Sequence, residues 1–443
     1  MSALRDSGAW NNRGMASSVN PPRGMRDFLA QEKARREQVL SVIRSVYRAH
    51  GFDEIETPVM EDSSRLHAGL GGDSEKLAFG VLKRGLTADD LHAANDPLEL
   101  ADLGLRFDLT VPLTRFYATH HAALPTVFRS IQIAPVWRAE RPQKGRYRQF
   151  VQCDIDIIGE AGPLAELELL SATADTLGAL GVEDWSFRIN DRRILHSLMR
   201  YWKVDPASAE RVLIALDKED KIGVHGVVDE LRELGLGDAE LISSVLLGIG
   251  STGGELTDLA DDGWSLLAAG STAPAWLDQD VYRELLALRA ALPGARVVFS
   301  PILVRGMGYY TGTIFEIAHP SSTSSLGGGG RYDGMVGRFL GTEVPAAGFS
   351  IGFERILDLV RLPEAAAADA VVLLHDQDVA PETLVALKSA LLARGGRVRL
   401  ERKPRNLKPL LKQLAASGFG RVATVTASTT SVDELEFRSL GRS

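Results

Sequence analysis

Apolar residues recur at helical spacing from about Ala30 to His50, with Val39, Leu40, Ile43, Val46 and Tyr47 on one side and Gly51 as the stop. A short strand from Phe52 to Thr57 then meets Pro58. Strand character is strongest in two segments, Ile131 to Trp137 and Phe150 to Ile158, both rich in β-branched and aromatic residues. Between them lies Arg138-Ala-Glu140-Arg141-Pro142-Gln143-Lys144-Gly145-Arg146-Tyr147-Arg148, where Pro142 and Gly145 mark a turn, so the pair predicts a hairpin with a long basic loop. On the returning strand Gln152, Asp154 and Asp156 alternate with Val151, Cys153, Ile155 and Ile157, which puts the polar side chains on one face.

Further along, Pro163 to Leu180 reads as a helix stopped by Gly181, and Trp185 to Asn190 as a strand. From about Ile194 to Leu292 the pattern is helical, with Leu- and Ala-rich amphipathic stretches; the charges of Asp217 to Lys221 read as a solvated helix face. Strand signals resume at Val297 to Val304. Beyond a linker at Leu362 to Asp369, strands (Ala370 to Leu374, Arg397 to Leu400, Arg421 to Val425) alternate with helices (Pro381 to Arg394, Leu407 to Ser417), predicting a small α/β domain with a mixed or parallel sheet. Residues 1 to about 20 have no period and are expected to be a disordered leader.

Composition narrows the class. At 443 residues, 45% apolar and 24% charged, the chain has the length for two or three domains. Its one cysteine, Cys153, excludes an internal disulfide and a cysteine-built zinc site, and no histidine pair has zinc-motif spacing, so no structural metal is expected. No apolar run approaches the roughly 20 residues that span a bilayer and the start lacks a signal-peptide core, which predicts a cytoplasmic protein. The net charge is −8, yet Lys388 to Arg421 holds ten Lys or Arg and a single acidic residue, Glu401. That segment is a basic patch on an acidic protein, suited to phosphate or left as a solvated face.

Candidate chemistry gathers in five places. Arginines beside the carboxylate-bearing strand suit a ligand with phosphate and an ammonium or imidazole group. Leu105 to Pro112 reads as a strand with Asp108 and Thr110 on the same side; the alternative is a strand edge with Asp108 paired to Arg106 or Arg115. Arg305-Gly306-Met307-Gly308-Tyr309-Tyr310 sets an arginine and two tyrosines beside glycines that permit close backbone approach. Gly327 to Gly330 is followed by Arg331-Tyr332-Asp333-Gly334 and by no Gly-Lys-Ser/Thr, so it is read as backbone lying flat against a ligand, not as a P-loop. Pro345 to Arg355 runs from strand into helix, with Arg355 either at a ligand or in a surface ion pair.

The run from Phe128 to Gly159 resembles motif 2 of class II aminoacyl-tRNA synthetases in the form found in histidyl-tRNA synthetases. The helix, strand and Pro58 resemble motif 1, Ala346-Ala347-Gly348-Phe349-Ser350-Ile351-Gly352-Phe353-Glu354-Arg355 resembles motif 3, and Arg106 to Pro112 resembles the family's RYDLTVP-like segment. Arg305 to Tyr310 resembles the histidine-specific signature, with Gly308 where that signature has aspartate.

The resemblance implies an α/β fold: a class II antiparallel sheet flanked by helices over residues 21–362, a helical insertion at about 194–292, and an anticodon-binding-like domain at 363–443. It also implies that Asp108 and Thr110 hold the α-amino group, that Leu109 belongs to the histidine site, that Gln152 helps fix the carboxylate and amino group, and that Asp156, Tyr309 and Tyr310 line an imidazole pocket. Arg138 and Arg305 would be the catalytic groups beside the carboxylate and α-phosphate, with Arg138, Glu140, Arg146 and Arg355 on ATP and Mg2+. Implied partners are L-histidine, ATP, histidine tRNA and a second copy of the chain. Two rivals stay open: a non-catalytic regulatory paralogue, and an adenylate-forming enzyme that hands histidine to an acceptor other than tRNA.

Overall fold

The computed structural model describes residues 19–67, 77–142, 145–250, 274–306, 310–363 and 370–440. The expected leader therefore lies almost wholly outside the described residues, as do Gly308 and Tyr309 and most of the expected linker. In chain order the strands are β1 (Asp53–Glu54), β2 (Met60–Asp62), β3 (Phe79–Leu82), β4 (Ala101–Leu105), β5 (Phe128–Trp137), β6 (Gln149–Ile158), β7 (Ser186–Asp191), β8 (Val297–Phe299), β9 (Thr313–His319), β10 (Ser322–Arg331) and β11 (Ala346–Gly352). The C-terminal part adds β12 (Ala370–His375), β13 (Arg397–Arg402), β14 (Arg421–Val425) and β15 (Arg438–Ser439).

Eight strands form the main sheet in the order β1-β5-β6-β11-β10-β9-β7-β8. Its interior pairs are antiparallel, and a parallel strand closes each end, β1 on β5 and β8 on β7. The expected hairpin is present in continuous register from Phe128 opposite Ile158 to Trp137 opposite Gln149. The period-two alternation of β6 sorts its residues as expected. Cys153, Ile155 and Ile157 are buried in one apolar core with Val39, Ile43 and Tyr47 of the helix Ala30–Ala49 and Leu169, Leu170 and Leu177 of the helix Leu164–Ala179. Gln152, Asp154 and Asp156 face the other way, which makes that side of the sheet the place for chemistry.

The described residues between β7 and β8 carry the expected helices, at Arg192–Tyr201, Ala209–Leu216, Glu219–Glu233, Ala239–Gly250 and Gln279–Ala290. A separate sheet in the order β13-β12-β14-β15 ends the chain; β13 and β14 run parallel to β12, and β15 runs antiparallel to β14, so it is mixed. Pro409 lies in the first turn of the helix Leu407–Ala416, where its missing N–H breaks no helical bond. No helix among the described residues is long and apolar enough to cross a membrane.

One expectation changes. Leu105 to Pro112 is not one strand: β4 ends at Leu105, and a helix runs from Thr110 to His120. Pro112 falls in its first turn, and the Asp108 carboxylate accepts from the Val111 N–H at 3.2 Å, so the helix start supplies a partner that a strand would not. Gly327 to Gly330 is part of central β10, where only Gly327 and Gly328 reach the cavity described below.

The residues before the first helix are tied to the hairpin loop. Arg148 N–H donates to the Gly24 carbonyl at 2.8 Å. The Arg26 guanidinium lies 3.5 Å from the Tyr147 ring centroid and pairs with Glu354 at 2.5 Å. Arg36 grips the same Glu354 carboxylate with both Nη groups, at 2.7 and 2.6 Å. Burial pushes the Glu354 carboxyl up, but bonds and charge from Arg36 and Arg26 outweigh it and hold it below the ordinary range.

Candidate active site

One cavity of about 680 Å³ opens on the polar face of β6, β10 and β11. Ten of the sequence candidates line it: Asp108, Thr110, Arg138, Glu140, Arg146, Gln152, Asp156, Arg305, Tyr310 and Arg355. Leu109 does not; its side chain is fully buried, and its carbonyl accepts from Gln132 Nε2 at 2.9 Å, which fixes the loop that presents Asp108. Tyr309 lies outside the described residues. Neither Arg106 nor Arg115 holds Asp108: Arg106 is spent on the carbonyls of Thr57 and Pro135, and Arg115 pairs with Glu61.

One group of lining residues is acidic, with Asp154 and Asp156 buried and Asp108 half-buried. Asp108, Asp154 and Asp156 share it, and each carboxyl is raised, first by burial. Asp108 stands at about 6, with the Val111 N–H and Arg138 pulling it back down. Asp156 stands at about 7, where the Tyr332 hydroxyl, donating to Oδ1 at 2.6 Å, opposes the burial and Asp108 adds to it. Together these groups favour a cationic or N–H-bearing ligand, which would replace the lost hydration of the carboxylates.

Another group is cationic. Arg138 donates from Nε to the Phe107 carbonyl at 3.0 Å, with its guanidinium 5.0 Å from the Phe150 ring centroid. Arg305 is held by Glu316 at 2.7 Å and by the Ser325 hydroxyl at 2.9 Å. Arg355 donates to the Ser325 carbonyl at 2.6 Å, so it faces the cavity and is not spent in a surface ion pair. Its affinity for its proton is lowered by burial and then by Arg305, Arg146 and Arg138. Guanidinium groups crowded so closely make a site for a polyanion. Arg146 pairs with Glu140 at 2.6 Å on the loop above.

Glycine makes room at two points. A Cβ on Gly328 would lie 2.6 Å from Arg305 Cζ, and one on Gly348 would lie 1.9 Å from Asp156 Oδ1. Gly348→Ala is therefore expected to destabilise the fold by about 1–3 kcal/mol through overpacking, read as a lower thermal midpoint; an unchanged midpoint would mean that Asp156 moves aside without cost.

Sequence reasoning gave no role to Asp154, though it placed it on the carboxylate-bearing face, and missed Tyr332, Ser350 and Asp217 as lining residues. Asp154 was legible from the alternation that picked out its neighbours on β6. Tyr332 stands two residues past the glycine run, but only the adjacency of β10, β11 and β6 brings it to Asp156. Asp217, expected on a solvated helix face, sits at the end of the helix Ala209–Leu216 and reaches the cavity rim, while Lys218 pairs with Glu230 at 2.5 Å.

An antiparallel sheet bearing clustered arginines and carboxylates, with a helical insertion and a separate C-terminal α/β sheet, is the plan of a class II aminoacyl-tRNA synthetase. A family model described as histidyl-tRNA synthetase matches residues 24–356. A histidine–tRNA ligase of Leifsonia xyli subsp. xyli is 60% identical over 427 residues, covering 94% of this chain and 98% of that one. A probable histidine–tRNA ligase of Tropheryma whipplei is 45% identical, covering 91% and 94%. The solved histidyl-tRNA synthetase of Nostoc sp. PCC 7120 superposes with a TM-score of 0.71 at 25% identity, covering 95% of each chain. The chain belongs to the histidyl-tRNA synthetase family.

Proposed function

We propose that this chain is a histidine–tRNA ligase: it joins L-histidine and ATP into histidyl-adenylate with release of pyrophosphate, then passes the histidyl group to the terminal ribose of histidine tRNA. The observation that carries this reading is one cavity lined by both buried carboxylates and clustered arginines, in a chain so close to named histidine–tRNA ligases.

The substrate fits as follows. Asp108, Thr110 and Gln152 take the α-ammonium group. Asp156, held by Tyr332, accepts from an imidazole N–H, and Tyr310 walls the ring, with Tyr309 assigned beside it by resemblance. A histidine-sized apolar side chain would leave the Asp156 carboxylate buried and unpaired, which is costly. Arg138 and Arg305 flank the reacting carboxylate and α-phosphate, and Glu140, Arg146 and Arg355 receive the rest of ATP.

No side chain acts as nucleophile. An oxygen of the histidine carboxylate bonds to the α-phosphorus as the bond to pyrophosphate breaks, so the protein contributes position and charge stabilisation. Mg2+ bound with the triphosphate would shield its charge, with Glu140 the lining carboxylate nearest in role to hold it; no group of three His, Cys, Asp or Glu suited to a metal ion occurs among the described residues.

Residues 21–362 form the catalytic unit and 363–443 a tRNA-binding unit, whose phosphate contacts come from the basic segment. There Arg397 and Arg399 flank the Phe419 ring at 4.5 and 4.8 Å. Two copies pair through the Ala30–Pro58 region and work in the cytoplasm.

The test is charging of histidine tRNA by purified protein with ATP, Mg2+ and labelled histidine, with AMP release followed in the same tube. Charged tRNA is expected. AMP without charged tRNA would redirect the histidyl group to another acceptor, and neither product would leave a binding paralogue.

A further inference from the structure

Gln152 is the most constrained polar side chain at the acidic end of the cavity. It is buried, and its Nε2 donates to Asp154 Oδ2 at 3.2 Å and to the Ser350 hydroxyl at 3.1 Å. Ser350 also lies close enough to Asp154 to favour its ionised form, and the Gln152 NH2 group is thus committed to this pair. Meanwhile Gln152 Oε1 is buried and has no hydrogen-bond partner among the described residues.

An amide has two orientations that differ little in shape and wholly in chemistry. Turned the other way, Gln152 would set its carbonyl oxygen against the Asp154 carboxylate, acceptor against acceptor, and aim its NH2 at the ligand. We infer that Asp154 is a positioning residue that locks the Gln152 amide with Oε1 towards the cavity, so that it accepts from the substrate's α-ammonium group. The inference rests on the reading of Gln152 as an α-ammonium ligand, and it explains an orphaned buried oxygen that otherwise costs stability. Burial and then the neighbouring Asp156 raise the Asp154 carboxyl despite the Ser350 and Gln152 donors, so the lock closes as an arriving cation draws the carboxyl to its ionised form.

Asp154→Asn is nearly isosteric but removes the lock, because the new amide can donate to Gln152 Oε1 and hold it reversed. The experiment measures KM for histidine in ATP–pyrophosphate exchange, and the inhibition constant of imidazolepropionate, which lacks the amino group, for Asp154→Asn, Gln152→Ala and the double variant. Asp154→Asn is expected to raise histidine KM on the order of 10- to 100-fold while leaving imidazolepropionate binding unchanged. Gln152→Ala should show the same selectivity, and the double variant should be no worse than Gln152→Ala.

If the two single effects add, Asp154 touches the ammonium itself and the lock is wrong. If only Gln152→Ala is selective, or Asp154→Asn weakens both ligands alike, the lock is likewise overturned while Gln152 keeps its role. A Gln152→Ala variant without selectivity sinks the reading of Gln152 and the lock with it. Should Asp154→Asn not fold, Ser350→Ala removes one acceptor of Nε2 and is expected to give the same selectivity at smaller size; its absence overturns the lock.

Discussion

Arg138→Ala is expected to lower ATP–pyrophosphate exchange by about 10²–10³-fold at saturating histidine and ATP, the size seen when one preorganised charge-stabilising donor is removed. Arg138 is aimed by its own surroundings. Its Nε is committed to the Phe107 carbonyl and its plane is braced by the Phe150 ring, which leaves both Nη groups for the cavity, without a partner among the described residues. Charge develops at the α-phosphate only as the new bond forms, so the loss should fall on kcat more than on either KM. Arg138→Lys keeps the charge but not the fork and should recover only part of the rate. The thermal midpoint should barely move, since the removed side chain is only half-buried and holds one carbonyl. Exchange within a few-fold of wild type would mean that Arg305 or Arg355 is the group that matters at the α-phosphate.

Asp156→Asn should separate function from stability. Loss of the charged acceptor is expected to raise histidine KM on the order of 100-fold while the KM for ATP stays within about twofold, because the ATP groups are separate side chains. Equal loss of both would remove Asp156 from the imidazole pocket. Stability should change in the opposite sense. The Asp156 carboxyl is lifted from 3.8 to about 7, so across that interval the folded protein keeps a proton that the unfolded chain releases, and folding weakens as pH rises. Asparagine lacks that slope and still accepts from Tyr332. The variant should therefore melt close to wild type near pH 4 and above it at pH 8, a gap worth on the order of a few kcal/mol. Thermal unfolding at the two pH values checks it; a gap of the reverse sign would mean that Asp156 is held ionised by its neighbours.

What could be read from the chain depended on whether the cause was local. The β5–β6 hairpin, the facing of Gln152, Asp154 and Asp156, and the βαβα order of the C-terminal part are set by period and turn residues a few positions apart, and these agree with the structure. Leu105 to Pro112 was misread because eight residues of mixed polarity satisfy a strand template. The counter-signal was present: an aspartate two residues before Thr110, with Pro112 just inside, is a helix entry. Tyr332 and Ser350 were not legible as site residues. Their place depends on β11 inserting between β6 and β10, a strand order that no local pattern encodes. Among the described residues, those given roles by resemblance line one cavity, except Leu109, whose carbonyl accepts from Gln132.

The bond from Arg26 to Glu354 spans 328 positions of the chain. Synthesis delivers the Arg26 segment first and its carboxylate partner only after the hairpin, the helical insertion and most of the sheet have emerged, so until then the Tyr147 side of the cavity has no fixed wall. Completion of the site is a late event in the history of each molecule, and a growing chain, even with its hairpin folded, cannot hold a nucleotide in the finished geometry. The same tie has a reverse consequence: fraying of the segment around Arg26 is expected to cost the basic loop a brace, and activity with it, at a lower temperature than the sheet melts.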